Sequence, residues 1–346
     1  MIAEDQGALG RQMREAMPLA WLPDAPPVGQ TPKEVVWSKN KARLYRYHSD
    51  HRRHPVPLVL VYALINKPYI LDLTPGNSLV EYLVAQGFDV FLLDWGVPGE
   101  EDASLRFDDY VLDYLNRAIA QVTRLTGQPQ VSLLGYCMGG TIALMYAALE
   151  PDRVRNLTLL ATPVDFSEAG LFTHWLDPEV FNVDRVVDAF GLVPAPFIEL
   201  GSKLLKPLQN YWAPTVNLLD RLDDEGFVQG WLVMNQWVND GVPFAGEAYR
   251  QWIKWFYQQN RLIRGEVRLK GRPVDLSHVR AAILNVRARQ DHIVQACQAE
   301  ALKGRTGSQD YCDLVAPGGH VGLVSGRAAK HELFPRLAAW LSSRSH

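Results

Sequence analysis

Three side chains in this sequence have the types and the chain order that nucleophilic acyl chemistry requires: Cys137, Asp291 and His320. Cys137 sits in Gly135-Tyr136-Cys137-Met138-Gly139-Gly140. The apolar run Val131-Ser132-Leu133-Leu134 precedes it, and the helix-forming run Thr141-Ile142-Ala143-Leu144-Met145-Tyr146-Ala147-Ala148 follows. Strand, glycine-flanked sharp turn and helix together make a nucleophile elbow, which lifts one side chain out of a strained turn at a helix N-terminus. Glycines on either side let the backbone turn without a Cβ clash. A cysteine stands where serine is more common, and a thiolate there faces the positive end of the helix dipole.

A cysteine nucleophile needs a base, and the base needs a partner that holds its tautomer. The expected chain order is nucleophile, acid, histidine, each at the C-terminal end of a strand. Asp291 follows the apolar run 281–286 within Arg287-Ala288-Arg289-Gln290-Asp291-His292, and His320 follows Tyr311–Val315 within Pro317-Gly318-Gly319-His320-Val321-Gly322. Asp291 could instead be a helix N-cap, Asp94 at another strand end is the rival acid, and His292 is the next histidine. Cys297 and Cys312 read as apolar packing residues. An oxyanion hole needs two backbone N–H donors: Met138, directly after the nucleophile, and either Ile65 or Asn66 in the loop after the first buried strand. No His/Cys/Asp/Glu spacing resembles a metal site and no glycine-rich phosphate loop is present, so no cofactor is expected.

The elements that must position these residues follow from periodicity and breakers. Short strands are expected at 35–37 and 44–47, and a buried strand at 56–63. A helix at 79–86, a strand at 89–93 and a helix at 107–126 come next, then the elbow strand and its helix, and a strand at 154–161. Strands alternating with helices in this way predict a mostly parallel sheet covered on both faces. The alternation stops at Pro163 and resumes with strands at 281–286 and 311–315 and helices at 293–302 and 333–341. Between the two blocks the chain reads as helical and aromatic, with Trp175, Trp212, Trp231, Trp237, Trp252 and Trp255, residues better suited to a cap's own core than to a substrate wall. The expected organisation is an N-terminal leader over 1–30, an α/β-hydrolase core over 31–164 and 274–346, and a helical cap over 165–273.

Composition narrows the class. The chain has 346 residues, 47% hydrophobic and 21% charged, with a net charge of −3, an ordinary globular balance with no basic block to hold nucleic acid. Three scattered cysteines fit a reducing compartment rather than a disulfide scaffold. The first residues, Met1-Ile2-Ala3-Glu4-Asp5-Gln6, lack a signal peptide's basic start, and no apolar run nears the roughly 20 residues of a membrane span. A cytoplasmic protein is expected.

At this point the residues resemble the polyhydroxyalkanoate synthases, in particular the short type that works with a second subunit. The similarity runs over about residues 30 to 345. It rests on Ile65-Asn66-Lys67-Pro68-Tyr69-Ile70-Leu71-Asp72-Leu73, Asp94-Trp95-Gly96-Val97-Pro98 with Asp109-Tyr110, and Thr162-Pro163-Val164-Asp165-Phe166. It rests also on Asn239-Asp240-Gly241-Val242-Pro243 with Tyr249-Arg250-Gln251-Trp252, on Asp291-His292-Ile293-Val294, and on Gly318-Gly319-His320-Val321-Gly322. Gln295-Ala296 stand where the family often has prolines, a departure in the loop rather than in the acid. The resemblance implies Cys137 as nucleophile, His320 as base and Asp291 as third member. It implies an (R)-3-hydroxyacyl-coenzyme A substrate, a growing polyester product, a partner subunit, self-association and a place at the surface of polyester granules. The absence of the long N-terminal domain of the family's single-subunit members points to the partner-dependent type. A cysteine hydrolase of the dienelactone hydrolase type, much shorter and without a cap, is the alternative reading, and a non-catalytic granule scaffold is a more distant one.

Overall fold

A computed structural model describes residues 23–205 and 213–346. Most of the expected leader (residues 1–22) and Trp212 lie outside the described residues. Eight strands form one sheet: β1 (Lys33–Lys39), β2 (Ala42–Tyr47), β3 (Leu58–Val61), β4 (Val90–Asp94), β5 (Val131–Tyr136), β6 (Val154–Leu160), β7 (Ala282–Ala288) and β8 (Tyr311–Ala316). Their spatial order is β1-β2-β4-β3-β5-β6-β7-β8. β2 runs antiparallel to both β1 and β4, and every other neighbouring pair is parallel. The central strands explain why: every residue of β3 and of β5 is buried, which a strand needs when helices cover both faces of its sheet.

The helices fill those faces. The nucleophile helix, Met138–Leu149, is buried along all of its length; it is apolar on every side, as a helix enclosed by a core must be. The helix over 107–126 packs beside it. It opens as a single α turn at Phe107–Asp109, widens into a π segment at Tyr110–Leu115, and continues as Asn116–Thr126 to a left-handed Gly127, a C-terminal stop that glycine favours.

Between β6 and β7 the chain is helical, as its tryptophans and periodicity suggested. Helices Leu171–Trp175, Val183–Phe190, Ala195–Leu204, Ala213–Leu219 and Glu225–Asn239 lead to Gly246–Gln251, which runs on as a π segment, Trp252–Gln258. This last helix ties the cap to the core. Phe107 from the core and Phe166 pack on its Trp252 and Phe256 at ring separations of 5.4–5.7 Å, in stacked, tilted and edge-on arrangements, geometry that favours aromatic pairs. Beneath them Gln251 accepts from the Phe107 amide at 2.7 Å and donates to Asp108 at 3.0 Å. Trp237 and Trp252 are buried in the same continuous core as the sheet residues.

Two expectations change. The helix expected at 293–302 is a single turn, Ala296–Glu300. The Asp291 carboxylate takes the amides of Ile293 and Val294 into a turn, and the helix starts only after Gln295, whose amide Gln298 caps at 2.9 Å. Cys297, read as a packing residue, lies exposed on that turn with its sulfur 3.6 Å from the Glu168 carbonyl; the turn buries Gln298 and Ala299 instead. Cys312 is half-buried against the core.

The nucleophile helix reaches its place only because residues 139 and 140 lack side chains. A Cβ on Gly139 would overlap the Val61 carbonyl oxygen, and one on Gly140 would overlap the Thr162 hydroxyl. Gly139→Ala is therefore expected to destabilise the chain by about 3 kcal/mol or more, read as a lower urea midpoint. An unchanged midpoint would show that the turn does not press on β3.

Candidate active site

Cys137 stands between the end of β5 and the nucleophile helix with φ 56° and ψ −128°. A non-glycine residue occupies that region only when its surroundings hold it there. Two anchors do so: the Cys137 amide donates to the Leu160 carbonyl on β6 at 2.9 Å, and its carbonyl accepts from Gly140 at 2.9 Å, closing the first helical turn. The side chain is half-buried at the C-terminal edge of a parallel sheet, where open α/β sheets place their ligands.

Asp291 follows β7 and His320 follows β8, and the fold brings them together. The His320 Nδ1 lies 2.7 Å from the Asp291 Oδ2. The other carboxylate oxygen accepts from the amides of Ile293 and Val294 at 2.9 and 3.0 Å, so both oxygens are occupied and the carboxylate cannot turn. Both side chains are buried, at 6% and 3% exposure. Asp291 takes two amides of its own turn and meets the histidine at once, while the N-cap of the helix that follows is Gln295 and not Asp291. Asp94 spends its Oδ1 on the Gly96 amide at 2.9 Å, shaping the turn after β4. His292 is half-buried beside Asp291 in the chain.

Burial and charge oppose each other at this pair. Burial works to lower the His320 pKa, but the charges of Cys137 and Asp291 and hydrogen bonds to both raise it to about 10. For Asp291, burial works upward, and the His320 charge with hydrogen bonds from the imidazole and the two amides holds the carboxyl below its usual value. Together these favour a charged imidazole between an anionic carboxylate and the sulfur, the arrangement that activates a thiol.

Met138, the expected first oxyanion donor, opens the nucleophile helix and is buried. Ile65 and Asn66 lie in the loop after β3, which is stitched to the cap: the Ile65 carbonyl accepts from Val242 at 2.9 Å, Asn66 bridges Gly241, and the Trp237 indole donates to Lys67 at 2.9 Å. The crevice beside this loop, lined by Ala63, Leu64, Asn66, Lys67, Trp95 and Val242, holds only about 10 Å³. A wider cavity of about 580 Å³, lined by Arg155, Asn156, Arg280 and Arg344, opens at the N-terminal ends of β6 and β7, the opposite edge from Cys137.

Three tyrosines around the sulfur were not among the expected site residues. Burial, first, and the charge of Cys137 raise the pKa values of Tyr62, Tyr136 and Tyr257, so all three phenols stay protonated in the field of the sulfur. Tyr136 had a signal, its place next to the nucleophile. Tyr62 and Tyr257 had none, because only folding brings the exit of β3 and a cap helix to Cys137. Among the described residues, no cluster of three His, Cys, Asp or Glu side chains could hold a metal ion, and no helix is long and apolar enough to cross a membrane.

An eight-stranded, mostly parallel sheet with a strained turn after β5 and an Asp–His pair after β7 and β8 defines the α/β-hydrolase fold, and that family matches residues 56–326. Solved structures agree on the fold: the DcsB complex with its substrate analogue (TM-score 0.58, 17% identity, 90% of this chain and 99% of that one) and the Paleococcus ferrophilus monoacylglycerol lipase (TM-score 0.53, 16% identity, 87% and 99%). More particularly, the chain belongs to the poly(3-hydroxyalkanoate) polymerase subunit PhaC family. It is 40% identical to that subunit of Allochromatium vinosum over 96% of this chain and 95% of the relative, and 40% identical to that of Haloferax mediterranei over 92% of this chain and 65% of the relative. Residues 26–83 match the N-terminus of the poly-beta-hydroxybutyrate polymerase PhaC.

Because the sulfur helps to hold its proton, the His320 imidazole should stay protonated well past the ordinary value of 6.5. Cys137→Ala is expected to lower its titration midpoint, followed by histidine-selective NMR; an unmoved midpoint would mean that sulfur and imidazole do not interact.

Proposed function

We propose that this chain polymerises (R)-3-hydroxyacyl-coenzyme A into polyhydroxyalkanoate through a covalent acyl-cysteine on Cys137. The observation that carries this is the His320–Asp291 contact of 2.7 Å beside a cysteine in a nucleophile turn, in a chain of the PhaC family. The Cys137 thiolate attacks the thioester carbonyl, and charge collects on the carbonyl oxygen. The amide of Met138, with that of Ile65 or Asn66, receives that charge, each donor being worth roughly 10²–10³-fold in rate. The intermediate collapses, coenzyme A leaves as its thiolate, and the proton on His320 neutralises it. Thioester exchanges for thioester, so the step is nearly balanced and the acyl group stays activated.

His320, now neutral, takes the proton of an incoming 3-hydroxyl as its oxygen attacks the acyl-cysteine. The C–S bond breaks, an ester forms, and the sulfur is free for the next unit. Such general-base help contributes on the order of 10²–10⁴-fold. Asp291 keeps Nδ1 protonated and the imidazole oriented, and no cofactor enters the cycle.

Water competes with the hydroxyl for the acyl-cysteine. A cap seated on the loop after β3 keeps water scarce, which favours polymer over hydrolysis, and it must lift for coenzyme A to enter. Control of that movement by a second synthase subunit fits the relatives' naming as subunits. Exposed apolar side chains on the cap, among them Val180, Phe190, Leu200 and Leu219, suit contact with a partner, a second copy or the polyester surface of a cytoplasmic granule.

Coenzyme A release from 3-hydroxybutyryl-coenzyme A, measured together with insoluble polyester, tests the reading. Cys137→Ala is expected to abolish both, and Asp291→Asn to slow release by on the order of 10³-fold or more. Release without polymer, at one coenzyme A per free hydroxy acid, would make the chain a hydrolase. Adding the partner subunit should raise the rate of the isolated chain; equal rates would remove the partner from the account.

A further inference from the structure

We infer that Tyr136 is a positioning residue that clamps the base loop to the nucleophile strand and so sets how the His320 imidazole meets the Cys137 sulfur. The inference rests on Cys137 and His320 being the working pair.

Tyr136 is the last residue of β5 and the residue before Cys137. Its hydroxyl donates to the His320 carbonyl oxygen at 3.2 Å across 184 positions of chain. Its ring lies 5.1 Å from the imidazole, tilted by 37°, with the ring of Tyr62 from the loop after β3 centred 5.8 Å from it and tilted by 30°. Tyr62 and Tyr136 are each 2% exposed and His320 6%. Three rings from three strand ends thus form one dry column that ends on the imidazole.

Geometry says why the column is needed. Asp291 holds the imidazole at Nδ1 and Cys137 meets it as well, but neither contact fixes the backbone of the loop that carries the ring. The loop itself carries glycines at 318 and 319 and gains little stiffness from its own backbone. The His320 carbonyl receives a local amide, Leu323, at 3.3 Å; Tyr136 supplies the second bond to that oxygen, and it comes from the nucleophile strand. The ring then blocks one face of the imidazole. Because the hydroxyl belongs to the residue beside Cys137, any shift of the base loop is resisted by the element that carries the sulfur. Burial keeps the phenol protonated, so it remains a donor at any working pH.

Tyr136→Phe keeps the ring and removes the clamp; Tyr136→Leu removes both. Two quantities decide: the His320 titration midpoint by NMR, and coenzyme A release per folded molecule from 3-hydroxybutyryl-coenzyme A. Tyr136→Phe is expected to slow release roughly fivefold, about what one neutral hydrogen bond is worth in an equilibrium, and to lower the His320 midpoint as the imidazole loosens from Asp291 and Cys137. Tyr136→Leu should do more of both. A variant with a lower melting temperature but an unmoved midpoint and release rate would reduce Tyr136 to packing and overturn the inference. Should Tyr136→Leu fail to fold, Tyr136→Phe decides alone. Retention of release in Cys137→Ala would sink the catalytic reading, while the midpoint shift in Tyr136→Phe would still report on the clamp.

Discussion

Close packing of the nucleophile turn against two neighbouring strands is the constraint on which the rest depends. Cys137 keeps a backbone conformation that costs energy because the helix behind it is pressed onto the Val61 carbonyl and the Thr162 hydroxyl. With a methyl group at either glycine the helix would stand off and the turn would relax. The burial of the whole nucleophile helix supplies the force, since an element apolar on all sides gains most by being enclosed. The strain at the sulfur is thus held by hydrophobic burial several residues away.

Around that fixed point the electrostatics follow from enclosure. In the buried interior an unpaired imidazolium would be strongly disfavoured, yet His320 interacts with both Asp291 and Cys137, and the balance tips toward the charged form. Asp291 avoids the same penalty through two backbone amides as well as the imidazole. The turn that supplies those amides also shortens the helix after β7, so the loss of regular structure there and the orientation of the carboxylate have one cause. The cap closes the arrangement through backbone contacts to the loop after β3, which tie the access route to the same loop that carries both candidates for the second oxyanion amide.

Much of this was legible in the residues. The elbow around Cys137, the order Cys–Asp–His, the parallel sheet and the helical stretch between Pro163 and β7 follow from local patterns of glycine, apolar runs and strand ends. Other features were not legible, for stated reasons. A helix after Asp291 was expected from the apolar run at 293–302, but a side chain competing for its first amides cannot be seen in periodicity. Cys297 looked like a packing residue by type, whereas its exposure depends on which side of that turn faces the core, and Gln298 and Ala299 take that side. Tyr62 and Tyr257 carry no local mark of their nearness to the sulfur.

The division is one between chain-local and chain-distant physics. By itself the sequence determined which residues turn sharply, which alternate and which carry reactive atoms, because steric and hydrophobic preferences act over a few neighbours. It determined the family too, through motifs that each occupy a short stretch. Only the tertiary structure decided that Asp291 rather than Asp94 meets His320, that three tyrosine phenols come within the electrostatic reach of Cys137, and that the cap rests on the loop after β3. Those contacts join residues 29 to 184 positions apart in the chain, and no local preference specifies them; they exist because one core buries all of the elements at once.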